Sequence, residues 1–290
     1  MVSLQETHED FLKYLKDKDR ANATIIAYAK DVNQLIEFVT AAGKLSPEEI
    51  DKEDLGSFIK KLEDEHYTPK SISRKINAIR TYFKSLKENN VITEDPSTTL
   101  THPKIELTPP RILSKMEYRA LRDACRQGVR ISAVVELLLQ TGIRIGELRR
   151  LKLTGVEFGE GGAPGKIRVE SWGKNPERTV PLNKPAQEAL KAYIEIRPKT
   201  KDETIFVTKT GRPFLIRNIR TTINRYFKTA GIEKAKVNDL RHTFVATHLS
   251  RGVSLTTVSR LAGHRRLTTT EKYLQYIKRP AEESVSLTEL

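Results

Sequence analysis

Tyr273 stands nine residues after His264 in RLAGHRRLTTTEKYLQY. Upstream lie Arg144 in TGIRIGELRRL, Lys174 in the turn SWGKNPERTVPL and Arg241 in NDLRHTF. Taken singly, each has an ordinary explanation. Arg144 could be a helix-surface arginine beside Arg149 and Arg150, Arg241 a partner for Asp239 or Glu147, Lys174 a solvated turn lysine and Tyr273 a packing residue like Tyr276. As an ordered set they suit one reaction, the attack of a tyrosine hydroxyl on a phosphodiester of DNA. The pentacoordinate phosphorane carries more negative charge on its non-bridging oxygens than the ground-state diester, so fixed cations aimed at those oxygens lower the barrier. Arg144 and Arg241 suit that task because guanidinium is planar, permanently charged and bidentate. Glu147, three residues after Arg144, can meet it on one helix face and orient it.

These residues must be carried by elements from different parts of the chain. The apolar run AVVELLLQTG reads as a buried helix ended by Gly142, with another helix beginning near Arg144. Just upstream, Ser114 and Glu117 form an S-x-x-E capping box. KIRVESW and ERTVPL alternate like strands around the turn GKNP, and TIFVT is expected to add a third. Lys174 would therefore ride on a hairpin tip, where a flexible ammonium can reach into a minor groove. From about Arg217 onward the chain reads as helices again. Nine residues is too long for one helix face to carry both His264 and Tyr273, and RRLTTT reads as a turn into a new helix. His264 also follows Gly263, a natural helix stop.

The first ~100 residues read as helices joined by polar turns. Ile25, Tyr28, Val32, Leu35, Ile36 and Val39 recur at helical spacing, with Asn22 as cap and Gly43 as stop. Leu55, Phe58, Ile59 and Leu62 form a shorter amphipathic segment. A third helix places Ile72, Ile76, Ile79, Phe83 and Leu86 on one face. Along it, Lys70, Arg74, Lys75, Arg80, Lys84 and Lys87 occur without an intervening acid. Of these, Lys70, Arg74, Arg80 and Lys84 are candidate DNA contacts on a helix laid along a groove, or else an ordinary solvated face. The pattern lapses between Pro96 and Pro110. The expected division is a helical domain over 1–100, a linker over 101–112, and a second domain over 113–290 with a tail from about 280.

Charge agrees with a polyanionic partner. The chain carries a net charge of +14, but residues 1–110 hold 16 basic and 19 acidic side chains, so the excess lies wholly in the remainder. Such asymmetry is the footprint of a surface that displaces counterions from phosphates. A single cysteine, Cys125, excludes an internal disulfide and a cysteine-rich zinc site, and its setting in LRDACRQ reads as a buried thiol on a helix. No apolar run approaches the ~20 residues of a membrane span, and the amino terminus is acidic and polar rather than signal-like. The expectation is a cytoplasmic protein associated with DNA. No ligand set for a metal and no nucleotide-binding glycine loop is apparent, so no cofactor is expected.

The set Arg144, Lys174, Arg241, His264 and Tyr273 resembles the active site of the tyrosine recombinase (phage integrase) superfamily. TGIRIGEL, GKNPERTVPL, LRHTFVATHL and LAGH followed by tyrosine resemble its C-terminal boxes, and NATIIAYAKDVNQLIEFV and SISRKINAIRTYFKSL resemble its N-terminal core-binding domain. Length and flanking motifs resemble the Xer group. The resemblance implies a mainly α protein: a helical, SAM-like core-binding domain followed by an α+β catalytic domain with a small antiparallel sheet. It implies that Tyr273 is the nucleophile, forming a 3′-phosphotyrosine and releasing a 5′ hydroxyl, that Lys174 protonates that leaving oxygen, and that His264 donates to a non-bridging oxygen. Because the phosphotyrosine keeps the energy of the broken diester, religation requires neither ATP nor metal.

One position departs from the family pattern. Where a histidine usually stands three residues before the second arginine, this chain has Asn238. Asparagine can donate to a phosphate but cannot take the tyrosine proton. His242, one helical turn later, also fits the ordinary family pattern.

The resemblance implies a site-specific recombinase acting on duplex DNA through a Holliday junction, in chromosome dimer resolution. It further implies a homotetramer on DNA, coupled by exchange of the tail, in which Val285, Leu287 and Leu290 could line one side of a short helix. An integrase or plasmid resolvase of the same superfamily, a type IB topoisomerase, and a non-cleaving DNA-binding protein on this fold are the competing readings.

Overall fold

A computed structural model describes residues 2–106, 108–173 and 175–277. The chain divides into two compact units, Met1–Leu107 and Thr108–Leu290, a boundary inside the segment expected to be a linker.

The first unit is helical. Helix α1 (Leu4–Asp17) starts at Ser3, whose hydroxyl accepts from the Glu6 N–H while the Glu6 carboxylate accepts from the Ser3 N–H. Helix α2 (Asn22–Ala41) begins one residue earlier than its sequence signal suggests. Ala21 occupies the cap position, leaving Asn22 inside the helix, and Gly43 (φ 89°) follows the C-cap. Helix α3 (Lys52–Asp64) is capped by Asp51 and α4 (Pro69–Glu88) by Thr68, with Pro69 in the first turn where a missing N–H does no harm. Helix α4 packs on α2 and α1 through Ile76, Ile79, Tyr82 and Phe83, all fully buried. Tyr82 is satisfied there by Thr7 at 2.7 Å, and burial pushes its hydroxyl up to about 12.

Charge is also buried in this unit. Asp31, 1% exposed, accepts from Lys75 at 2.9 Å and from Arg74, while Lys75 also donates to Gln34 at 2.6 Å. The basic series along α4 is therefore not a single surface. Lys75 is buried, Arg74 is tied to Asp31, and Arg80 donates to the Leu100 carbonyl. Lys70 is exposed, and exposed Lys84 lies 3.8 Å from Glu88.

In the second unit, α5 (Lys115–Cys125) carries the expected Ser114–Glu117 capping box. Helix α6 (Val129–Thr141) is the central strut, with residues Ile131 and Ala133 through Leu139 buried. Gly142 ends it in the left-handed region at φ 62°, and a Cβ there would lie 2.2 Å from the Phe244 ring. Glycine thus provides both the turn and the close approach of a later helix. The short α7 (Ile145–Leu148) follows. An antiparallel sheet orders β1 (Val156–Glu157), β2 (Gly165–Val169) and β3 (Arg178–Leu182) side by side, with Ile167 opposite Val180. Residues Ile167, Val169, Val180 and Leu182 face the core, and α8 (Lys184–Ile196) packs on α6 beside them.

The third strand is not the expected one. In TIFVT, Thr204 and Val207 make isolated bridges only, to Lys152 and Pro213, and Ile205, Phe206 and Val207 are all fully buried. Its backbone pairs residue by residue with two different segments, Ile205 N–H on the Leu151 carbonyl and Phe214 N–H on the Phe206 carbonyl, so neither pairing runs long enough to make a ladder. The chain then runs through α9 (Ile216–Thr229), α10 (Val237–Ser250), α11 (Leu255–Ala262) and α12 (Thr268–Glu271) into a 3₁₀ turn, Lys272–Tyr276. Phe244, Val245, Leu249, Val258, Ala262 and Tyr273 form a second core cluster that seats this end of the chain. The tail after residue 277 and the helix considered for it lie outside the described residues.

Candidate active site

Four chain segments meet around Tyr273. Arg144 precedes α7, and its position is set by Glu147, which accepts from the Arg144 N–H at 2.8 Å and from Nη1 at 3.2 Å. Its Nη2 donates to the Gly263 carbonyl at 2.9 Å, so the first arginine is tied directly to the turn bearing His264. Gly263 caps α11 at φ 69°, and the His264 N–H closes the turn on Ser259 at 2.9 Å. His264 therefore combines both sequence readings: it follows a helix cap and faces the site.

Arg241 comes from α10 and is 5% exposed. Nη1 donates to the Gly142 carbonyl at 2.5 Å, while Nη2 is buried with no hydrogen-bond partner among the described residues. Burial, with help from the charges of Arg144 and Arg178, lowers its guanidinium to about 9, which leaves it protonated at neutral pH. A buried donor without an acceptor is rare in native proteins, because it forfeits hydration and gains nothing in return.

The sequence reading missed Arg178. It opens β3 and shares its inward face with Val180 and Leu182. Its guanidinium grips Glu147 at 3.0 and 2.8 Å and donates through Nε to the Leu261 carbonyl at 2.9 Å. Burial would raise the Glu147 carboxyl, but the Arg178 hydrogen bonds, the Arg144 N–H and both guanidinium charges outweigh it and hold it below the usual range. Period-two alternation was the available signal: in ERTVPL it puts an arginine on the face that must be buried.

Two guanidinium groups, those of Arg144 and Arg178, thus share the Glu147 carboxylate, and the third, Arg241, adds positive charge without pairing with it. The surplus positive charge shows in His264, whose imidazole is lowered to about 3 by burial and then by Arg241 and Arg144. It is neutral at physiological pH. The Thr270 hydroxyl lies 2.8 Å from Nδ1; when that hydroxyl donates, the His264 proton resides on Nε2 as a hydrogen-bond donor.

Tyr273 is 6% exposed, whereas Tyr276 is half-buried. Its ring lies nearly parallel to that of His264, with centroids 6.3 Å apart, and its hydroxyl is 2.5 Å from Nδ1 of His242. Burial raises the phenol above its ordinary value despite the opposing charge of Arg241. Asn238 is exposed one turn before His242, with its Nδ2 2.8 Å from the His242 Nε2. It also borders a cleft with Arg220, Lys236 and Arg241. The structure therefore gathers Arg144, Asn238, Arg241, His264 and Tyr273. Lys174 lies outside the described residues. Its flanks form a hairpin tip, where Trp172 and Asn175 pair at 3.0 and 3.1 Å and Arg150 stacks 4.2 Å from the Trp172 ring.

Among the described residues, no group of three or more His, Cys, Asp or Glu side chains is arranged to hold a metal ion, and no helix is long and apolar enough to cross a membrane. Residues 111–279 match the phage integrase family, and residues 9–90 match the phage integrase N-terminal SAM-like domain. Tyrosine recombinase XerC of Staphylococcus epidermidis is 31% identical, over 94% of this chain and 92% of that one. A XerH site-specific recombinase bound to a palindromic difH substrate in a post-cleavage complex superposes with a TM-score of 0.77 at 19% identity, covering 96% of this chain and 82% of that one. A lambda integrase tetramer bound to a Holliday junction gives 0.75 at 19% identity, covering 92% and 79%. At those identities the two structures speak for the fold alone.

Proposed function

This chain belongs to the phage integrase family as a tyrosine recombinase, an enzyme of site-specific DNA breakage and rejoining, and from that premise we propose that Tyr273 forms the covalent link to DNA within a site made by Arg144, Lys174, Asn238, Arg241 and His264. The observation that carries the assignment is the buried Nη2 of Arg241, without a hydrogen-bond partner among the described residues, in a site where three arginines gather and only one carboxylate, Glu147, pairs with two of them. A non-bridging phosphate oxygen is the acceptor that such a donor lacks.

In this reading Arg144 and Arg241 hold the two non-bridging oxygens, neutral His264 donates through Nε2, and Asn238 adds an amide contact. The Tyr273 oxygen attacks phosphorus. A bond from phosphorus to the phenolic oxygen forms, the bond to the 5′ oxygen breaks, and Lys174 supplies the proton that leaves with that 5′ hydroxyl. Religation reverses these steps. Since the diester energy is kept in the phosphotyrosine, exchange between duplexes is close to energetically neutral.

The biological setting we infer is a recombination site on duplex DNA in the cytoplasm, engaged by a homotetramer that passes through a Holliday junction and resolves chromosome dimers. Similarity to XerC, together with the tetrameric and DNA-bound assemblies of the lambda integrase and XerH structures, supports this. Lys70 and Lys84 on α4, exposed and held by nothing tighter than the 3.8 Å approach of Glu88 to Lys84, are better placed for backbone contacts than Arg74, bonded to buried Asp31, and Arg80, bonded to the Leu100 carbonyl.

The test uses a duplex selected by this chain from a randomised pool, then nicked so that the cleaved 5′ fragment is lost. A covalent adduct in a denaturing gel is expected for the native chain and for Tyr276→Phe, and not for Tyr273→Phe. An adduct surviving in Tyr273→Phe would overturn the assignment.

A further inference from the structure

We propose that His242 takes the proton from Tyr273 during attack, with Asn238 bracing the far side of its imidazole. The inference rests on Tyr273 being the nucleophile. It answers the difficulty raised by Asn238, which occupies the usual histidine position and has no basic atom. His242 Nδ1 lies 2.5 Å from the Tyr273 hydroxyl, in direct hydrogen-bond contact with the proton a general base must take. The other nearby imidazole, His264, has its Nδ1 engaged with Thr270.

Asn238 and His242 are one turn apart on α10, so the asparagine reaches Nε2 at 2.8 Å while Nδ1 faces the tyrosine. A side-chain amide can present either end. When Nδ2–H donates to Nε2, the neutral imidazole carries its proton on Nδ1 and donates it to the tyrosine oxygen. When the amide turns over, Oδ1 accepts from Nε2–H, and the Nδ1 lone pair faces the tyrosine O–H. The second arrangement is the reactive one. The proton passes from Tyr273 to Nδ1, the phenolic oxygen bonds to phosphorus, and the imidazolium keeps Nε2–H on Oδ1. On religation Nδ1 returns the proton to the departing tyrosine.

The titratable groups facing this imidazole are Arg241 and Asp239 from α10, with Tyr273 and His264 from the later part of the chain. Burial, opposed by Asp239 and aided by Arg241, lowers His242 from its ordinary value, which favours the unprotonated form that can accept. A phosphate bound at Arg241 would offset that positive charge and strengthen His242 as a base at the moment of attack.

The experiment measures single-turnover cleavage of the selected, nicked duplex against pH for the full-length native chain, His242→Gln, His242→Ala and Tyr273→Phe. Mobility shift checks that each variant still binds the duplex. A general base contributes ~10²- to 10⁴-fold, so both His242 variants are expected to cleave at least ~100-fold more slowly near pH 7. The deficit should shrink as the pH approaches tyrosine ionisation, and added imidazole should restore His242→Ala but not Tyr273→Phe. Cleavage by His242→Gln within ~3-fold of the native rate would overturn the proposal. So would a deficit that is uniform across pH and insensitive to imidazole, since lost packing gives that result. An adduct in Tyr273→Phe would instead refute the nucleophile assignment, so the two failures are distinguishable.

Discussion

Arg178 holds Glu147 by both terminal nitrogens, at 3.0 and 2.8 Å, while Glu147 itself orients Arg144. A side chain on the sheet thereby fixes the angle of an arginine on a helix. Because the same guanidinium also accommodates the Leu261 and Ala262 carbonyls, it joins three of the segments that make the site.

Replacing Arg178 should therefore harm both stability and catalysis. Arg178→Leu leaves Glu147 with less compensation at 6% exposure, and loss of one partner of a buried ion pair is expected to cost about 3–5 kcal/mol. Arg178→Lys keeps the charge but cannot reproduce the two-pronged contact. It should unfold at lower denaturant than the native chain, less so than Arg178→Leu, and form the adduct more slowly. Denaturant titration and single-turnover cleavage check both parts.

Gly263→Ala tests the same junction from the other side. Its φ of 69° disfavours any Cβ, and an added Cβ would lie 2.7 Å from the Arg178 guanidinium carbon. A loss of about 1–3 kcal/mol is expected from backbone strain alone, with slower cleavage as His264 shifts. A thermal midpoint within error of the native value would contradict this geometry.

The pH dependence of stability should report His264. Its folded-state value of about 3 lies below the ordinary 6.5, so the unfolded chain binds more protons between those limits. The contribution is fully present above about pH 6.5 and is lost as the pH falls toward about 3. Thermal midpoints measured from pH 7 downward should fall more steeply for the native chain than for His264→Asn.

In the first unit, Asp31→Leu and Asp31→Ala should destabilise without touching the chemistry. Removing Asp31 leaves Lys75, 4% exposed, without its buried counter-charge, for an expected cost of about 3–5 kcal/mol. Adding Lys75→Met to Asp31→Leu should recover much of that loss, because an apolar pair of similar size needs no compensation. Chemical denaturation of the single and double variants decides it.

Much of this was legible in the linear chain. Helical periodicity gave α2, α3 and α4; Gly142 and the Ser114–Glu117 box marked real helix ends; and the motifs around Arg144, Arg241, His264 and Tyr273 pointed to the phage integrase family that the chain matches. The misses have physical causes. Asn22 has a residue type that favours the cap position, although Ala21 holds it. TIFVT has strand-forming residues, yet its pairing partners, Lys152 and Pro213, lie in different segments and give single bridges in place of a ladder.

The sequence by itself determined which reactive groups exist and their order, because residue type fixes charge, basicity and nucleophilicity and local spacing fixes helix or strand. Only the tertiary structure decided which of those groups share an environment. It separated buried Tyr273 from Tyr276, placed Arg178 against Glu147 across 31 positions, left Arg241 with a donor unpartnered among the described residues, and set His242 against the tyrosine hydroxyl. Such pairings depend on how α10, β3 and the 3₁₀ turn dock through apolar surfaces far from the reactive atoms, and spacing along one element carries no record of that docking.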